Sequence, residues 1–343
     1  MTYNLDFFKN ISTFITEFMT HFKTVGVYNS EENKFDTKTI RNYKKLFYFG
    51  ELGLNDFGSG VFTTIRTVNG RQVLNLDDHV ERIIDNSKSA GLIPSTLEQE
   101  NLEESLKKDL YNQIREIVGS NSNYLPGDEL AISVYILGGK SDSKGGIDPD
   151  STRILIDVEK LKIFSPELYS KGATLILNEY ARPDPEIKSL DQSQRHRVFT
   201  QYGGTHDFHE VLYIKDGNVL EGSQSNFFLI KDNKIYTALN GVLSGVTRKM
   251  VIEFANNLGY EVSNEEVKLE NLEGAGGAFI TSTARGIMPV TKILDLENGG
   301  ETIIKGSLDH EYIFGLQGKF IEYIAEFLMI NLMINLMIKC LIL

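Results

Sequence analysis

Three short segments of this 343-residue chain carry side chains that could do chemistry together, and a fourth offers hydroxyls beside them. The first holds an amine, Lys188, in Pro185-Glu186-Ile187-Lys188-Ser189-Leu190-Asp191. A lysine partly withdrawn from water has a lowered pKa, so it can add to a carbonyl and later serve as a base. Most lysines are simply solvated, and only its place before the next segment singles this one out. The second holds a carboxylate, Glu221, in Leu220-Glu221-Gly222-Ser223-Gln224-Ser225-Asn226, after a strand-like run and its Asp216-Gly217 turn. Placed against a pyridine-type nitrogen, such an acid keeps the ring protonated, and a protonated ring withdraws electrons from a developing carbanion. A lone turn acid is more often solvated, but the strand-like SNFFLI that follows sets Glu221 at a strand edge.

The third segment, Leu243-Ser244-Gly245-Val246-Thr247-Arg248, runs straight into a helical pattern. A helix start presents free N–H groups and the positive end of the helix dipole, which suits a phosphate. Gly245 permits close backbone approach and Thr247 adds a hydroxyl. Alone, an ordinary capped helix explains this segment equally well. The hydroxyl-rich turn Ser282-Thr283-Ala284 completes the set. Amine, acid, helix start and turn, in this order after strand-like runs, are what a site for an aromatic phosphate cofactor needs.

The elements that must position these groups read as α+β. Residues 46–76 look like strands broken by glycine-rich turns, with Asn69-Gly70 a hairpin signal. Asp77 or Asp78 is expected to cap a helix running to about Ala90, stopped by Gly91, and a second helix is expected over Leu102–Val118. Strands are expected at 131–139, 152–162, 173–181, 209–221, 225–238 and 278–283, and a helix over Thr247–Leu258. The domain limits read as a helical extension (1–45), a small α/β domain (46–163), a linker (164–172), a larger domain (173–306) and an apolar helical tail (307–343). The extension carries Phe7, Phe8, Ile11, Phe14, Ile15 and Phe18 at helical spacing, a pattern that most often packs on a core or partner. Its lack of a basic segment and a continuous apolar run argues against a secretory signal. The tail from Phe327 repeats Ile-Asn-Leu-Met. It sits at the short limit for a membrane span, so packing as a terminal helix is preferred over membrane contact.

Composition narrows the function. The net charge of −12 argues against a nucleic-acid partner. One cysteine, Cys340, excludes an internal disulfide framework and thiolate metal sites, so no metal is expected and a reducing, cytoplasmic location is the default.

Taken together, EGSQSNFF and YTALNGVLSGVTR resemble the class IV, fold-type IV, pyridoxal-phosphate aminotransferase family in residue type and spacing. Upstream, Gly60-Val61-Phe62-Thr63-Thr64-Ile65-Arg66 and His79-Val80-Glu81-Arg82-Ile83 are similar to the family's N-terminal strand and its His-x-x-Arg helix. The resemblance spans about residues 47–293. It implies a small α/β domain and a larger pseudo-barrel domain, active as a homodimer. It implies that Lys188 holds pyridoxal 5′-phosphate as a Schiff base, that Glu221 contacts the pyridine nitrogen, and that Arg82, Val246, Thr247 and Thr283 bind the phosphate. It implies too that Thr283 and Ala284 receive the substrate carboxylate. The expected activity moves an amino group between an amino acid, branched-chain or related, and a 2-oxo acid.

Two cations stand beside this set. Arg285 follows the carboxylate turn, and its fork either reads a second acidic group on a substrate or forms an ion pair. Arg66 lies on a strand whose alternate residues face opposite ways, so the sequence leaves its direction open. The chain also departs from the pattern. Ser193 stands where many members carry an aromatic hydroxyl that touches the cofactor's ring oxygen, Asp191 stands where asparagine is common, and Arg195-His196-Arg197 replaces a small apolar helix. An aminodeoxychorismate lyase of the same fold and a cofactor-free binding homologue are the rival readings. A nucleotide site is disfavoured, because Gly274-Ala275-Gly276-Gly277 precedes a strand and does not open a helix.

Overall fold

The computed structural model describes residues 23–29, 34–40, 60–70, 72–92, 100–120, 128–138, 153–190, 193–263 and 265–342. The chain forms two compact units, one ending at Leu161 and the other starting at Lys162.

The first unit is built on a six-stranded sheet. Its strands are β1 (Lys23–Asn29), β2 (Lys34–Ile40), β3 (Gly60–Val68), β4 (Gln72–Val73), β5 (Leu130–Leu137) and β6 (Arg153–Lys160), in the order β2-β1-β6-β5-β3-β4. Every pairing is antiparallel. Two helices, α1 (Leu76–Ser89) and α2 (Glu100–Ser120), pack on each other, with α1 on β3 and α2 on β6. Strand β3 shows why. Val61, Thr63, Ile65 and Thr67 are buried while Phe62, Thr64 and Arg66 are half-buried, the alternation of a strand covered on one face. The turn after β3 has Asn69 at φ 54° and Gly70 at φ 68°, as the Asn-Gly signal predicts.

Two expectations change here. The described part of 1–45 is sheet, not helix, because KTVGVYN and KFDTKTI are rich in β-branched and aromatic residues that fit a pleated surface. The amphipathic pattern from Phe7 to Phe18 lies outside the described residues. Helix α1 starts at Leu76 behind Asn75, held at φ 50°. Asp77 and Asp78 therefore lie within its first turn, where they face the positive end of the dipole and do not cap it.

The second unit contains α3 (Pro166–Lys171), β7 (Ala173–Glu179), α4 (Ser193–Tyr202), β8 (Glu210–Lys215), β9 (Asn218–Gly222), β10 (Asn226–Lys231), β11 (Lys234–Tyr236) and α5 (Val246–Asn257). It continues with β12 (Glu261–Val262), β13 (Gly277–Ser282), β14 (Gly286–Asp295), β15 (Gly300–Ile303) and α6 (Glu311–Ile342). Strand β9 pairs with β8 on one side and, through Glu221 and Asn226, with β10 on the other. The strands β10-β13-β14-β7-β8-β9 thus close on themselves as a barrel-like ring. Closure removes the open edges that an isolated sheet must protect. Strand β7 is parallel to β8, so the chain between them must cross over, and that crossover carries Lys188 and α4.

Both faces of the ring are covered, which accounts for its unbroken apolar strands. In β10, Phe227 and Leu229 join Leu175, Leu212, Ala278 and Met288 in one core. Phe228 and Ile230 point the other way, into a second core with Val251 and Phe254 of α5 and Ile313 and Leu316 of α6. Phe228 and Phe279 stack there with centroids 4.7 Å apart. Each such ring buried contributes about 1.5–3 kcal/mol.

Residues 164–172, expected as a linker, are an ordered cap on this core. Ser165 accepts a hydrogen bond from the Leu168 N–H, Pro166 opens α3, and Phe164, Leu168 and Tyr169 pack on the inner cluster. Helix α6 extends over the expected tail, and its first turns are core, not appendage. Among the described residues, no helix is long and apolar enough to cross a membrane.

Candidate active site

Glu221 is set by a β-bulge. Leu212 pairs with Gly222 but Ile214 pairs with Val219, so β9 uses one more residue than β8 between these pairs. A bulge re-aims the side chains beside it. Here Val219 stays in the inner core while Glu221 turns to the face of Asn226, its partner across the ring closure. The acid is only 4% exposed. Its Oε1 accepts from Arg182 Nε at 2.9 Å and also from Arg182 Nη2. Its Oε2 accepts from the Leu243 N–H at 3.0 Å and from Asn226 Nδ2 at 3.4 Å. Burial pushes the Glu221 pKa above the usual carboxylate range, and Arg182, the Leu243 N–H and Lys188 pull it back.

Lys188 lies in the crossover, half-buried, close enough that its charge acts on Glu221. The loop before it is tied down by Arg182, whose Nη1 donates to the Ile187 carbonyl at 3.1 Å and whose Nη2 donates to the Pro185 carbonyl. Sequence reasoning does not find Arg182. Its only sequence signal is a cation six positions before the candidate amine.

Helix α5 begins beside the same acid. Gly245 is its N-cap, extended at φ −70° and ψ 133°, and as a glycine it brings no side chain to cap the helix start. Val246 and Thr247 form its first turn and are buried. A Cβ at position 245 would collide with Asn226 Oδ1, so the glycine lets the helix start sit against the Glu221–Asn226 pair. Gly245→Ala is expected to push Asn226 aside, lowering stability by about 1–3 kcal/mol. Thermal melts measure this; an unchanged Tm would show that the close approach of Gly245 to Asn226 is not needed.

The turn Thr283-Ala284-Arg285 connects β13 to β14, with all three residues half-buried. Ser282 Oγ accepts from the Arg285 N–H at 3.3 Å. Next to it on β13, the Thr281 hydroxyl is buried with no hydrogen-bond partner among the described residues. Thr281 pairs with Asn226, so it shares the face of Glu221.

Of the two readings of Arg285, the ion pair is the one seen, and it is buried. Its Nη1 lies 2.8 Å from Glu210 Oε2, its guanidinium sits 5.0 Å from the Phe164 ring centroid, and its carbonyl accepts from the Tyr169 hydroxyl at 2.7 Å. Glu210, 1% exposed, also accepts from the Gln224 N–H and the Ser225 hydroxyl, holding the loop that follows Glu221. In this structure Arg285 forms the ion pair, through Nη1 alone, and Glu210 Oε2 makes no hydrogen bond there among the described residues. In the basic run, Arg195 lies 4.5 Å from the Phe199 ring centroid, and burial lowers its pKa.

Arg82 and Arg66 belong to the first unit. Arg82 Nη2 donates to Thr63 Oγ1 at 2.7 Å, and the Thr63 hydroxyl lies 2.8 Å from His79 Nδ1. Burial lowers the Arg82 pKa to about 10, with Asp78 opposing the shift, so the guanidinium stays charged at neutral pH. Arg66 shares the half-buried face of β3 with Phe62 and Thr64, opposite the Thr63 face that meets Arg82.

The family model for amino-transferase class IV matches residues 60–293. The chain belongs to that family, whose members depend on pyridoxal phosphate. A D-alanine aminotransferase of Bacillus licheniformis is 28% identical over 253 residues, covering 73% of this chain and 83% of that protein. An aminodeoxychorismate lyase of Bacillus subtilis (strain 168) is 31% identical over 254 residues, covering 72% and 81%. The crystal structure of the branched-chain amino acid aminotransferase from Escherichia coli superposes with a TM-score of 0.64 at 20% identity, covering 87% of this chain and 93% of that one. The α+β fold, with a smaller sheet unit and a larger barrel-like one, is thus a class IV aminotransferase fold.

The second unit fits such a cofactor on its own observations. A buried acid with two cations acting on it suits a ring nitrogen, and a glycine-capped helix start beside it suits a phosphate.

Proposed function

We propose that this chain is a pyridoxal-phosphate-dependent aminotransferase that moves an amino group between an amino acid, branched-chain or related, and a 2-oxo acid. The observation that carries the reading is Glu221, buried on a bulge between Lys188 and the glycine-capped start of α5. Lys188 would hold the aldehyde carbon, Glu221 would face the ring nitrogen, and Val246, Thr247 and Thr283 would hold the phosphate. When bound, the cofactor supplies a protonated ring that accepts electron density from the substrate α-carbon.

The chain's own residues do the rest. The Lys188 amine would serve as general base and acid at one nitrogen, taking up and giving back the substrate's α-proton. Arg182, the Leu243 N–H and Lys188 oppose the burial that raises the Glu221 pKa, so each favours the carboxylate form that would hold a proton on the ring nitrogen as negative charge develops. Thr283 and Ala284 would receive the substrate carboxylate at the β13–β14 turn. A homodimer in the cytoplasm belongs to the same reading.

A lyase of this fold is the second reading, favoured by the 31% identity to the Bacillus subtilis enzyme. The test combines trapping with turnover. Borohydride reduction of the cofactor-loaded chain is expected to add the cofactor mass at Lys188, and L- or D-amino acids with 2-oxoglutarate are expected to give amino transfer. Pyruvate from aminodeoxychorismate without amino transfer would establish the lyase, and a colourless, unmodified chain would defeat both readings.

A further inference from the structure

We propose that Arg182 is a positioning residue that fastens the Glu221 carboxylate to the loop carrying Lys188, setting acid and amine as one unit. The inference rests on the function proposed above and adds a residue to it. All three guanidinium nitrogens are committed: Nε and Nη2 to Glu221 Oε1, Nη2 to the Pro185 carbonyl as well, and Nη1 to the Ile187 carbonyl. The last acceptor is the residue before Lys188. Because the guanidinium is planar with its donors at fixed angles, a shift of the acid is transmitted to the loop and the reverse. The side chain is 18% exposed against 5% for Glu221, so water screens this pair little.

Arg182 also governs the charge of the acid. The charged groups acting on Glu221 are Arg182, Lys188 and, from α5, Arg248, while the Leu243 N–H and the Asn226 amide are its neutral donors. Arg182 is itself faced by Tyr213 of β8. Burial is the largest influence on Glu221 and Arg182 is the first that opposes it. Without Arg182 the acid takes up its proton at a higher pH, and a neutral Glu221 no longer holds the ring nitrogen's proton.

The test compares Arg182→Gln and Arg182→Lys in the wild-type and Glu221→Gln backgrounds of the full chain. Arg182→Gln is expected to retain borohydride-trapped cofactor at Lys188, to lower kcat about 100-fold with KM changed less than about threefold, and to move the acid limb of the kcat profile up by about one pH unit or more. Arg182→Lys restores the charge but not the fork, so it is expected to restore the limb and only part of kcat. In the Glu221→Gln background the loss of Arg182 is expected to change kcat less than about threefold. An unmoved acid limb, or the same loss in both backgrounds, overturns the proposal.

A second readout needs no cofactor. An acid whose folded pKa lies above its unfolded value binds its proton more tightly in the folded chain, so stability falls as pH rises through that window. Arg182→Gln widens the window upward. The Tm gap between wild type and Arg182→Gln is therefore expected to grow as pH rises and to lose that slope in the Glu221→Gln background. A gap flat in pH overturns the coupling. A wild-type chain that takes no cofactor at Lys188 defeats the proposed function instead, and the melting comparison still decides whether Arg182 and Glu221 are coupled.

Discussion

Lys188→Ala is expected to lower amino transfer by roughly 10⁴-fold or more while leaving the fold in place. The size follows from the two duties of one nitrogen. On the proposed function it would both capture the cofactor's aldehyde and move the α-proton, and no other residue described at the site is proposed for both. The fold should tolerate the change because the loop is held by backbone carbonyls: those of Pro185 and Ile187 accept from Arg182, and truncating a side chain at 188 touches neither bond. On the same proposal pyridoxal phosphate should still bind, but reversibly, since the phosphate anchors proposed at the α5 start do not involve the amine. Three measurements check this: kcat/KM over a panel of L- and D-amino acids, the mass after borohydride, and the melting temperature. A small primary amine added to the medium should restore part of the rate, because the missing group is a base. Retention of more than about a hundredth of the activity, or trapping at another lysine, would move the catalytic amine away from 188.

Why Lys188 and Glu221 are legible in the sequence while Arg182 is not has a physical explanation. Glu221 stands between a Gly-containing turn and an apolar strand, and strand ends are readable from a local pattern. Its orientation is not, because the bulge that turns it is a register difference between β8 and β9 that only the paired strands reveal. Arg182 lies 39 residues from its acid, in a crossover without periodicity. The runs 209–221 and 225–238, each expected as one strand, are each two strands that turn at Asp216-Gly217 and Asp232-Asn233, where φ is positive throughout. Strands β1 and β2 escape the sequence reading because the aromatic helical pattern just upstream masks the change of period at Lys23. The ring closure is invisible for the same cause as the bulge: a single pair, Asn226 with Glu221, makes it.

Arg285 shows the opposite failure, a residue whose chemistry is readable and whose partner is not. A guanidinium fork beside a turn proposed to bind a carboxylate does suit a dicarboxylate substrate, but its Nη1 is paired with Glu210, with side-chain exposures of 9% and 1%. The expected result of Arg285→Leu is therefore a loss of stability, not a change in substrate preference. Removing one partner of a buried pair leaves the other charged in a medium that solvates it poorly, at a cost of about 3–5 kcal/mol. For a unit of this size that is a fall in Tm of order 10 °C. Glu210 has two further donors, the Gln224 N–H and the Ser225 hydroxyl, which keep it tied to the loop after Glu221 and hold the cost toward the lower end. Thermal melts give the first quantity, and the ratio of kcat/KM for glutamate against leucine gives the second. If that ratio collapsed about tenfold or more while Tm held, Arg285 would be a substrate residue after all, and the Glu210 contact would be a resting arrangement that the substrate displaces.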